Sequence, residues 1–387
     1  MITDNRPITH RESHDVIVVG GGIAGIAASV AAAREGANIL LVEKSVNLGG
    51  LATTGLISWY EPLCNGKGKQ LIFGIAEELI RLSAKYSFDN IPSNWGGEEI
   101  NPRRGDRYST WFSPTVFSVA LDEYVVQNGV KILFDTMAVT PVMDGNTALG
   151  IIAETTSGRE FYPSKIIVDA TGDASVMHRA GVPTVLGENY MVYVSHYFDK
   201  AAADNYVKDG DTARFRKWKF QGADCFGNGE IATPKKFTCT DNKAITDFIL
   251  KGKQLLLDFI RTKDRNSYDI MTIPYMPQFR TIRRIIGDDD FIGDSNMHFA
   301  DSIGVCGDFR SPDGKAYEIP FGALINSKFK NLIAAGRIIS APQGDGWEIS
   351  RVIPVCALTG EAAGKVAAYC AKEKLDISCG KDLFRKV

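Results

Sequence analysis

Short apolar runs and small-residue segments alternate along the beginning of the chain. The runs at 15–19 and 38–42 are rich in valine, isoleucine and leucine, and the first ends in three glycines at 20–22. Between them, residues 23–34 are dominated by alanine and are followed by a Glu-Gly pair. Continuous apolar runs of this length are typical of buried parallel strands, and a helical segment that joins two of them is typical of a crossover. The pattern therefore predicts a βαβ unit.

Similar signals recur further along the chain. Residues that predict helices lie at 71–86, 114–128 and 354–369. Apolar runs that predict strands lie at 130–134, 148–152, 165–168 and 331–335. Turn-forming Gly, Asn, Asp and Ser residues separate the first three of these runs, which indicates a β-meander that returns to a parallel sheet. The expected fold class is therefore α/β.

Length and local composition divide the chain into two expected lobes. The 387 residues exceed the roughly 250–300 over which a single hydrophobic core usually grows. Residues 187–289 are rich in aromatic side chains and lack a glycine fingerprint, so they are interpreted as an inserted α+β lobe. Residues 61–109 are interpreted as a helical or lid excursion, because 89–107 is rich in Gly, Pro, Asn and charge. The other segments are expected to form one discontinuous domain from 12–60, 110–186 and 290–387.

Charge and composition exclude several classes of partner. The 44 basic and 46 acidic side chains leave a formal net charge of −2, which does not attract the phosphates of a nucleic acid. No apolar run reaches the ~18 residues of a membrane-spanning helix, and the polar first 14 residues do not resemble a secretory signal. We therefore expect no nucleic-acid partner, no membrane partner and a cytoplasmic location. A homo-oligomer is left open.

The cysteines and the absent motifs narrow the chemistry. Seven scattered cysteines without a Cys-x-x-Cys pair predict reduced thiols. The acidic triplet 288–290 lacks the spaced oxygen ligands of a cation-binding loop, so no metal site is expected. The sequence contains no serine-hydrolase elbow, zinc-protease motif or Walker loop, which gives no support to hydrolysis or phosphoryl transfer.

A glycine fingerprint lies between the first predicted strand and its helix. Gly20, Gly22 and Gly25 have the Gly-x-Gly-x-x-Gly spacing. Gly20 permits a tight turn, Gly22 lets the backbone approach a pyrophosphate, and Gly25 lets the helix pack closely on the sheet. Glu43 follows Gly20 by 23 positions, where an acidic side chain accepts hydrogen bonds from an adenosine ribose. The fingerprint predicts a bound dinucleotide but does not distinguish NAD from FAD, because both contain ADP.

Three further elements resemble those of the FAD-dependent oxidoreductases and occur in that family's order. They are a Gly-Gly element at 49–55 after Glu43 and Lys44, an Asp-Ala-Thr-Gly-Asp element at 169–173, and an Ala-Gly-Arg element at 335–337 that leads through 350–354 to Gly-Glu-Ala-Ala-Gly at 360–364. The resemblance implies a Rossmann-type FAD-binding domain with a parallel sheet and a β-meander. It also implies that the inserted α+β lobe is a substrate or cap lobe, and that FAD is the cofactor.

The resemblance further implies which residues contact the FAD. The helix that begins near Pro354 would direct its positive end at the N1 and C2-carbonyl region of the flavin, where Arg351 adds a full charge. An inter-lobe salt bridge is an equal alternative for Arg351, and Arg337 stands where many members carry an acid. The expected cofactor-binding residues are Gly20, Gly22, Ile23, Ala24, Gly25, Glu43, Lys44, Gly49, Gly50, Leu51, Thr54, Ala138, Ala170, Thr171, Gly172, Asp173, Gly336, Arg337, Arg351, Val352 and Pro354.

The candidate catalytic residues are His196, Arg283, Arg351 and Asp345. The family often presents a histidine in the loop 341–348, but this loop contains none, so Asp345 is a candidate for moving protons there, against a solvent-facing turn. His196 is a candidate general base, against a purely structural histidine. Arg283 is a candidate clamp for a substrate carboxylate, against pairing with the acidic triplet.

The expected activity is redox conversion of a small organic substrate by hydride transfer at flavin N5, with NADH or NADPH as a transient reductant. Two other flavin-based functions stay open: an NAD(P)H- and O₂-dependent monooxygenase, and a flavin-bearing subunit that assists an assembly without catalysis. A dehydrogenase that uses only NAD is the remaining alternative, because the fingerprint alone also fits NAD.

Overall fold

The computed structural model describes residues 6–88, 91, 108–229 and 236–385. The predicted lid at 89–107 lies outside the described residues except for residue 91. The α-helices of the described residues are α1 Ile23–Arg34, α2 Ile75–Lys85, α3 Pro114–Gln127, α4 Ser175–Arg179, α5 Lys200–Asp209, α6 Asn242–Arg261, α7 Asp345–Ser350 and α8 Ile353–Glu373. The β-strands of the described residues are β1 Thr9–His10, β2 His14–Val19, β3 Ile39–Val42, β4 Trp59–Tyr60, β5 Thr110–Trp111, β6 Lys131–Leu133, β7 Met137–Asp144, β8 Thr147–Thr155, β9 Gly158–Asp169, β10 Thr184–Leu186, β11 Glu188–Tyr190, β12 Val192–Asp199, β13 Lys217–Gly222, β14 Lys236–Thr238, β15 Tyr268–Thr272, β16 Arg283–Ile285, β17 Ser302–Gly307, β18 Ala316–Pro320 and β19 Leu332–Ala334.

A parallel layer of five strands forms the centre of the fold. Its order is β6-β3-β2-β9-β19, and every neighbouring pair is parallel. All four residues of β3 and the last four of β2 are buried, as expected for strands that are covered on both faces. The α/β fold class, the βαβ unit and the parallel sheet predicted from the sequence are confirmed.

Strand β9 joins this parallel layer to the β-meander. Its first half pairs antiparallel with β8, which in turn pairs antiparallel with β7. Its second half pairs parallel with β2 on one side and β19 on the other. The carboxyl ends of β2, β3, β9 and β19 therefore lie together at one edge of the sheet, and the segments that follow them meet there. This is the edge at which open α/β sheets bind their ligands.

Helices α1 and α8 pack against each other through backbone rather than side chains. A Cβ atom at Gly360 would lie 2.2 Å from the carbonyl oxygen of Ala24, and one at Gly364 would lie 2.1 Å from that of Ala28. A glycine inside a helix costs about 1 kcal/mol relative to alanine, so its presence twice in α8 has a packing reason. The close approach holds the first turn of α8 near the start of α1.

A second hydrophobic cluster forms away from the central sheet. It lies within the range 187–289 and consists of Met191, Val192, Tyr193, Val194, Phe237, Cys239, Phe248, Leu256 and Phe279. Strand β12 lies between β13 and β15 in this part of the chain. Strand β10 pairs with β16, so the strands at the two ends of the segment are hydrogen-bonded to each other.

Helix α7 differs from the sequence-based interpretation of 341–348 as a loop. Residues 345–350 form a short helix whose Trp347 and Ile349 are buried. A Cβ atom at Gly346 would lie 2.1 Å from the carbonyl oxygen of Phe291, so this glycine lets the helix contact a neighbouring backbone. The local sequence is polar and rich in glycine, and the tertiary contact overrides that weak local preference. None of the helices in the described residues is both long and apolar enough to cross a membrane.

The α1–α8 contact can be tested with Gly360→Ala. Helix propensity alone would make this variant more stable by about 1 kcal/mol. We expect the opposite, a loss of about 1–3 kcal/mol, because the new methyl group would meet the backbone of α1. The measurement is thermal unfolding of the purified protein, with Lys372→Ala on the exposed face of α8 as the control. A Gly360→Ala protein that melts at or above the wild-type temperature would contradict the contact.

Candidate functional site

The glycine fingerprint forms a tight turn that is open on one side. Gly20 has φ +103°, and a Cβ atom there would lie 2.5 Å from the carbonyl oxygen of Ala170. A Cβ atom at Gly25 would lie 1.8 Å from the carbonyl oxygen of Gly20, so α1 contacts the turn directly. A Cβ atom at Gly22, in contrast, would meet no atom within 4 Å. The open side of Gly22 lies at the amino end of α1, whose first residues are Ile23 and Ala24, where a phosphate is favoured.

The second Gly-Gly element lies directly against this turn. Gly49 has φ +99°, and its N–H donates to the carbonyl oxygen of Gly21 at 2.8 Å. A Cβ atom at Gly50 would lie 3.2 Å from the Cα atom of Gly22. A short 3-10 turn over Gly50–Ala52, which includes Leu51, continues from there. The two glycine elements, 29 residues apart in sequence, therefore form one cradle of backbone.

Glu43 closes the end of this cradle. One carboxylate oxygen accepts from the N–H of Gly21 at 2.7 Å and the other from the N–H of Ser45 at 2.8 Å. Each oxygen keeps a further lone pair that can accept from a ribose hydroxyl. The N–H of Thr136 donates to the Glu43 carbonyl oxygen at 3.1 Å, which places the start of β7, and with it Ala138, beside this residue.

The Asp-Ala-Thr-Gly-Asp element is a turn that its own first aspartate stabilises. The buried Asp169 accepts from the N–H and hydroxyl of Thr171 with one oxygen and from the N–H of Met177 with the other. Burial raises the pKa of Asp169 to about 6. Ala170 lies under Gly20, and Lys44 is close enough to act electrostatically on Asp173. The element thus reaches the fingerprint from the end of the neighbouring strand β9.

Arg337 links the two parts of the protein. Its Nε donates to the carbonyl oxygen of Gly172 at 2.8 Å, and its Nη1 donates to that of Phe279, in the second cluster, at 2.6 Å. Burial lowers the pKa of this guanidinium. The preceding Gly336 has φ +78°, and a Cβ atom there would lie 2.8 Å from the Cβ atom of Ala24. Arg337 therefore links the Asp-Ala-Thr-Gly-Asp turn to the second hydrophobic cluster by hydrogen bonds.

The chain between the Gly-Gly element and β4 lies under the second cluster. The N–H of Tyr275 donates to the carbonyl oxygen of Thr54 at 2.9 Å. The buried Gln278 amide donates to the carbonyl oxygens of Gly55 at 2.7 Å and Val194 at 3.0 Å. The predicted cofactor-binding segment 49–55 is thus fastened to strand β12 by hydrogen bonds.

Several buried arginine N–H groups have no hydrogen-bond partner among the described residues. They are Nη1 of Arg280, Nε of Arg283 and Nε of Arg351. The remaining contacts of Arg280 and Arg283 are long, at 3.5 Å to the Ala223 carbonyl and 3.4 Å to the Asp173 carbonyl. Burial, reinforced by repulsion from Arg351, lowers the pKa of Arg280. Buried unpaired donors are costly, so these residues fit an anionic or hydrogen-bond-accepting ligand.

Of the two acidic side chains in α7, the candidate Asp345 is directed outward and Glu348 inward. Asp345 is 51% exposed and forms an ion pair with Arg310 at 3.1 Å. Glu348 forms a short ion pair with Arg351, whose guanidinium also lies 4.8 Å from the centroid of the Trp347 ring. The structure therefore brings Arg351 together with Glu348, while it places Asp345 in a surface ion pair.

The amino end of α8 holds a carboxyl group that the sequence analysis missed. Val352 is the residue before the helix, Pro354 lies in its first turn, and the N–H of Ile353 donates to an oxygen of Glu61 at 3.1 Å. Burial raises the pKa of Glu61 to about 7, against the opposing charge of Arg351. Glu61 belongs to no local motif, and its position directly after the aromatic pair Trp59-Tyr60 is the one local signal that could have marked it.

His196 is fully buried beside the same segment. Its Nε2 lies 3.2 Å from the carbonyl oxygen of Leu56, and its Nδ1 has no partner among the described residues. Burial and the charge of Arg216 lower its pKa to about 4, so the ring is neutral at pH 7. With Leu56 accepting from Nε2, Nδ1 is left as a free acceptor. The ring stacks on Trp218, with centroids 5.9 Å apart.

A cleft of about 600 Å³ opens next to His196. Ser58, Trp59 and Trp111, from the β4–β5 region, line it together with Arg216 and Trp218 at the start of β13. The cleft therefore lies where the β4–β5 pair meets the start of β13. Its volume is within the range of small-molecule sites, about 300–1,000 Å³.

Comparison with known proteins gives one family and two curated relatives. The model of the family described as FAD dependent oxidoreductase matches residues 15–272 and 268–379. A digeranylgeranylglycerophospholipid reductase from Methanoculleus marisnigri is 21% identical over 224 residues, which are 54% of this chain and 53% of that protein. A thioredoxin reductase from Ureaplasma parvum is 30% identical over 80 residues, 21% of this chain and 26% of that protein. The chain spans about half or less of the length of these relatives.

A solved structure supports the fold over nearly the whole chain. A geranylgeranyl bacteriochlorophyll reductase-like protein from Thermoplasma acidophilum superimposes with a TM-score of 0.55, covering 96% of this chain and 82% of that one. Its sequence identity is 13%. At this identity the likeness concerns the fold alone.

The open side of Gly22 can be tested with Gly22→Ala. Because its methyl group would meet no protein atom, we expect the cofactor-free variant to melt at the wild-type temperature. The methyl group would occupy the side from which the pyrophosphate approaches, so FAD should be retained at least tenfold more weakly. Equilibrium dialysis with FAD measures the affinity. Gly20→Ala is the contrasting variant, since it should lose stability as well, and unchanged FAD affinity in Gly22→Ala would contradict the assignment.

Proposed function

Because this chain belongs to the FAD-dependent oxidoreductase family, we propose that it transfers a hydride between FAD and a small organic substrate bound in the cleft beside His196. The cleft carries the proposal: it is lined by residues 58 and 59, which follow the Gly-Gly element almost directly, and by residues 216 and 218 of the substrate lobe. A substrate in the cleft would lie next to the segment that the family uses to pass the flavin. FAD, when bound, supplies the N5 atom that accepts or donates the hydride.

The cationic side chains of the site bind and orient. Arg280, Arg283 and Arg351 present N–H groups without partners among the described residues, and these would hold the phosphates and polar edge of the cofactor. Arg351 also bears a positive charge at the amino end of α8, where an electron-rich ring edge is stabilised. The ion pair with Glu348 fixes the orientation of this guanidinium.

Glu61 is the residue that holds and moves a proton. A side chain with a pKa near the working pH is most effective in this role, and the pKa of Glu61 is about 7. His196, with a pKa of about 4, is a weak base at neutral pH. Its ring stacks on Trp218, which lines the cleft, and so orients that wall of the site. Burial thus separates the roles of two groups whose ordinary pKa values differ by only about two units.

The cofactor and the reaction are tested by one experiment on the purified protein. We expect stoichiometric FAD, identified by mass after release, and a ~450 nm band that bleaches anaerobically with one member of a panel of alcohols, amines and saturated acids. If the electrons pass in the opposite direction, from the flavin to the substrate, NADH or NADPH bleaches the ~450 nm band and an alkene restores it. The reductase names of the Methanoculleus and Thermoplasma proteins support including alkenes.

Two outcomes would redirect the proposal. Oxygen consumption that is coupled to substrate hydroxylation would identify a monooxygenase instead. A protein that binds FAD stoichiometrically but is neither reduced nor reoxidised by any member of the panel, and that purifies with a stable partner, would favour the non-catalytic subunit.

The proton role of Glu61 is tested with Glu61→Gln. We expect the spectrum of the bound FAD, titrated from pH 5.5 to 8.5, to change with a midpoint near 7 in the wild type, because Glu61 ionises at the amino end of α8. Glu61→Gln should lack this change, and its rate with the identified substrate should fall by about 10²–10⁴ and lose its dependence on pH near 7. Tyr60, Cys356 and Arg351 are the other ionisable groups nearby.

The control for this experiment is Glu35→Gln, at the exposed end of α1, which should match the wild type in both measurements.

The raised pKa of Glu61 also predicts how the stability of the protein changes with pH. A carboxyl group whose pKa is raised on folding lowers stability as the pH rises from its ordinary value to about 7. Glu61→Gln should therefore gain melting temperature relative to the wild type over this range. A pH-independent difference would contradict the raised pKa.

A further inference from the structure

Three tryptophans form one wall of the cleft. The ring centroids of Trp59 and Trp111 are 6.1 Å apart, and those of Trp111 and Trp218 are 4.9 Å apart with the rings nearly perpendicular. The indole N–H of Trp218 donates to the hydroxyl of Ser58 at 3.2 Å, which fixes the orientation of that ring. Trp111 is 50% exposed although it lies in a concavity. Such a surface suits a flat unsaturated molecule that stacks on the rings.

Arg216 lines the same cleft, and none of the described residues is seen to offer it a counter-charge. Its Nε and Nη1 are buried, and neither has a hydrogen-bond partner among the described residues. Burial lowers the pKa of this guanidinium, which is the sign of an unneutralised cation. The neighbouring Arg214 differs, because it forms ion pairs with Asp209 and Asp211. The two arginines are two residues apart, yet only the buried one lacks an acidic partner within the described part of the chain.

An unpaired buried guanidinium is not explained by protein stability. Leaving buried donors unsatisfied costs about 1–3 kcal/mol. Within the described residues, the charge of Arg216 acts on His196, which is neutral and does not offset it. Nothing in the described residues therefore offsets the charge, and an anionic ligand would. A single guanidinium matches the single charge of a carboxylate better than the double charge of a phosphate monoester.

We propose that the cleft takes a substrate with a flat unsaturated body and one carboxylate, the body against Trp111 and Trp218 and the carboxylate on Arg216. This inference rests on the proposed function, since it names the substrate class of the same site. It moves the carboxylate clamp from Arg283, the sequence-based candidate, to Arg216. Arg283 remains among the cations assigned to the cofactor, because its nearest described contact is the Asp173 carbonyl.

The test compares 2-naphthoate with its neutral counterpart 2-naphthamide on the FAD-loaded wild-type protein, by isothermal titration calorimetry. We expect the naphthoate to bind at least tenfold more tightly, as a hydrogen-bonded charge pair requires. Cyclohexanecarboxylate, which keeps the charge but lacks the flat ring system, should bind several-fold more weakly than naphthoate. Equal affinity for the acid and the amide, or no binding of the acid, would overturn the inference without any variant.

The Arg216→Gln variant tests whether Arg216 is the residue that binds the carboxylate. We expect it to lose at least tenfold in affinity for naphthoate, to bind naphthamide as the wild type does, and to retain FAD. Arg261→Gln, on the exposed side of α6 and ion-paired with Asp258, is the matched control and should bind naphthoate normally. Full naphthoate affinity in Arg216→Gln would show that the charge lies elsewhere and would overturn the assignment.

The stability of ligand-free Arg216→Met gives an independent readout. Because an unpaired buried cation is replaced by an apolar side chain of similar length, we expect a higher melting temperature than for the wild type. A lower melting temperature would show that the protein itself stabilises the guanidinium, and would overturn the claim that it awaits a ligand anion.

The outcomes also separate this inference from the proposed function. Suppose that naphthoate binding depends on Arg216 but that no organic compound reduces or reoxidises the FAD. This result would contradict the proposed reaction and would support the anion site. Reduction of the flavin by a neutral compound, together with equal binding of the acid and the amide, would overturn the anion site and leave the proposed reaction standing.

Discussion

The backbone contact between α1 and α8 is the constraint on which the site depends. Gly360 and Gly364 remove the side chains that would separate the two helices, so the carbonyl oxygens of α1 lie against α8. The first turn of α8 is thereby held near the carboxyl edge of the parallel sheet, where the fingerprint turn and the end of β9 meet. A larger residue at either glycine would move the amino end of α8 away from the cradle and from the carboxyl of Glu61, which accepts from the N–H of Ile353.

The second feature of the site is a set of buried arginine N–H groups that have no hydrogen-bond partner among the described residues. They belong to Arg280, Arg283 and Arg351, and to Arg216 in the cleft. Arg351 also pairs with Glu348. Buried donors without partners are costly for stability. They support the proposals that anionic ligands bind here.

Burial acts in opposite directions on the two titratable groups beside the cleft. A carboxyl in a dry environment resists ionisation, so the pKa of Glu61 rises to about 7, whereas an imidazole resists protonation, so the pKa of His196 falls to about 4. The group that the sequence analysis ranked as the base is therefore neutral and weakly basic. The group that it did not identify has the pKa that a proton carrier needs at neutral pH.

The sequence by itself determined the α/β fold class, the βαβ unit, the β-meander and a dinucleotide site, because local periodicity and glycine spacing report directly on strands, turns and phosphate contact. FAD as the cofactor followed from the resemblance of three further elements to a known family, not from spacing alone. Only the tertiary structure decided what depends on contacts between distant residues. Glu61 and Ile353 are 292 positions apart, and His196 and Leu56 are 140 apart, so no local pattern could reveal either pair. The same reason explains α7, which forms because Gly346 packs on a distant backbone, and the unpaired charge of Arg216, which is visible only once its surroundings are known.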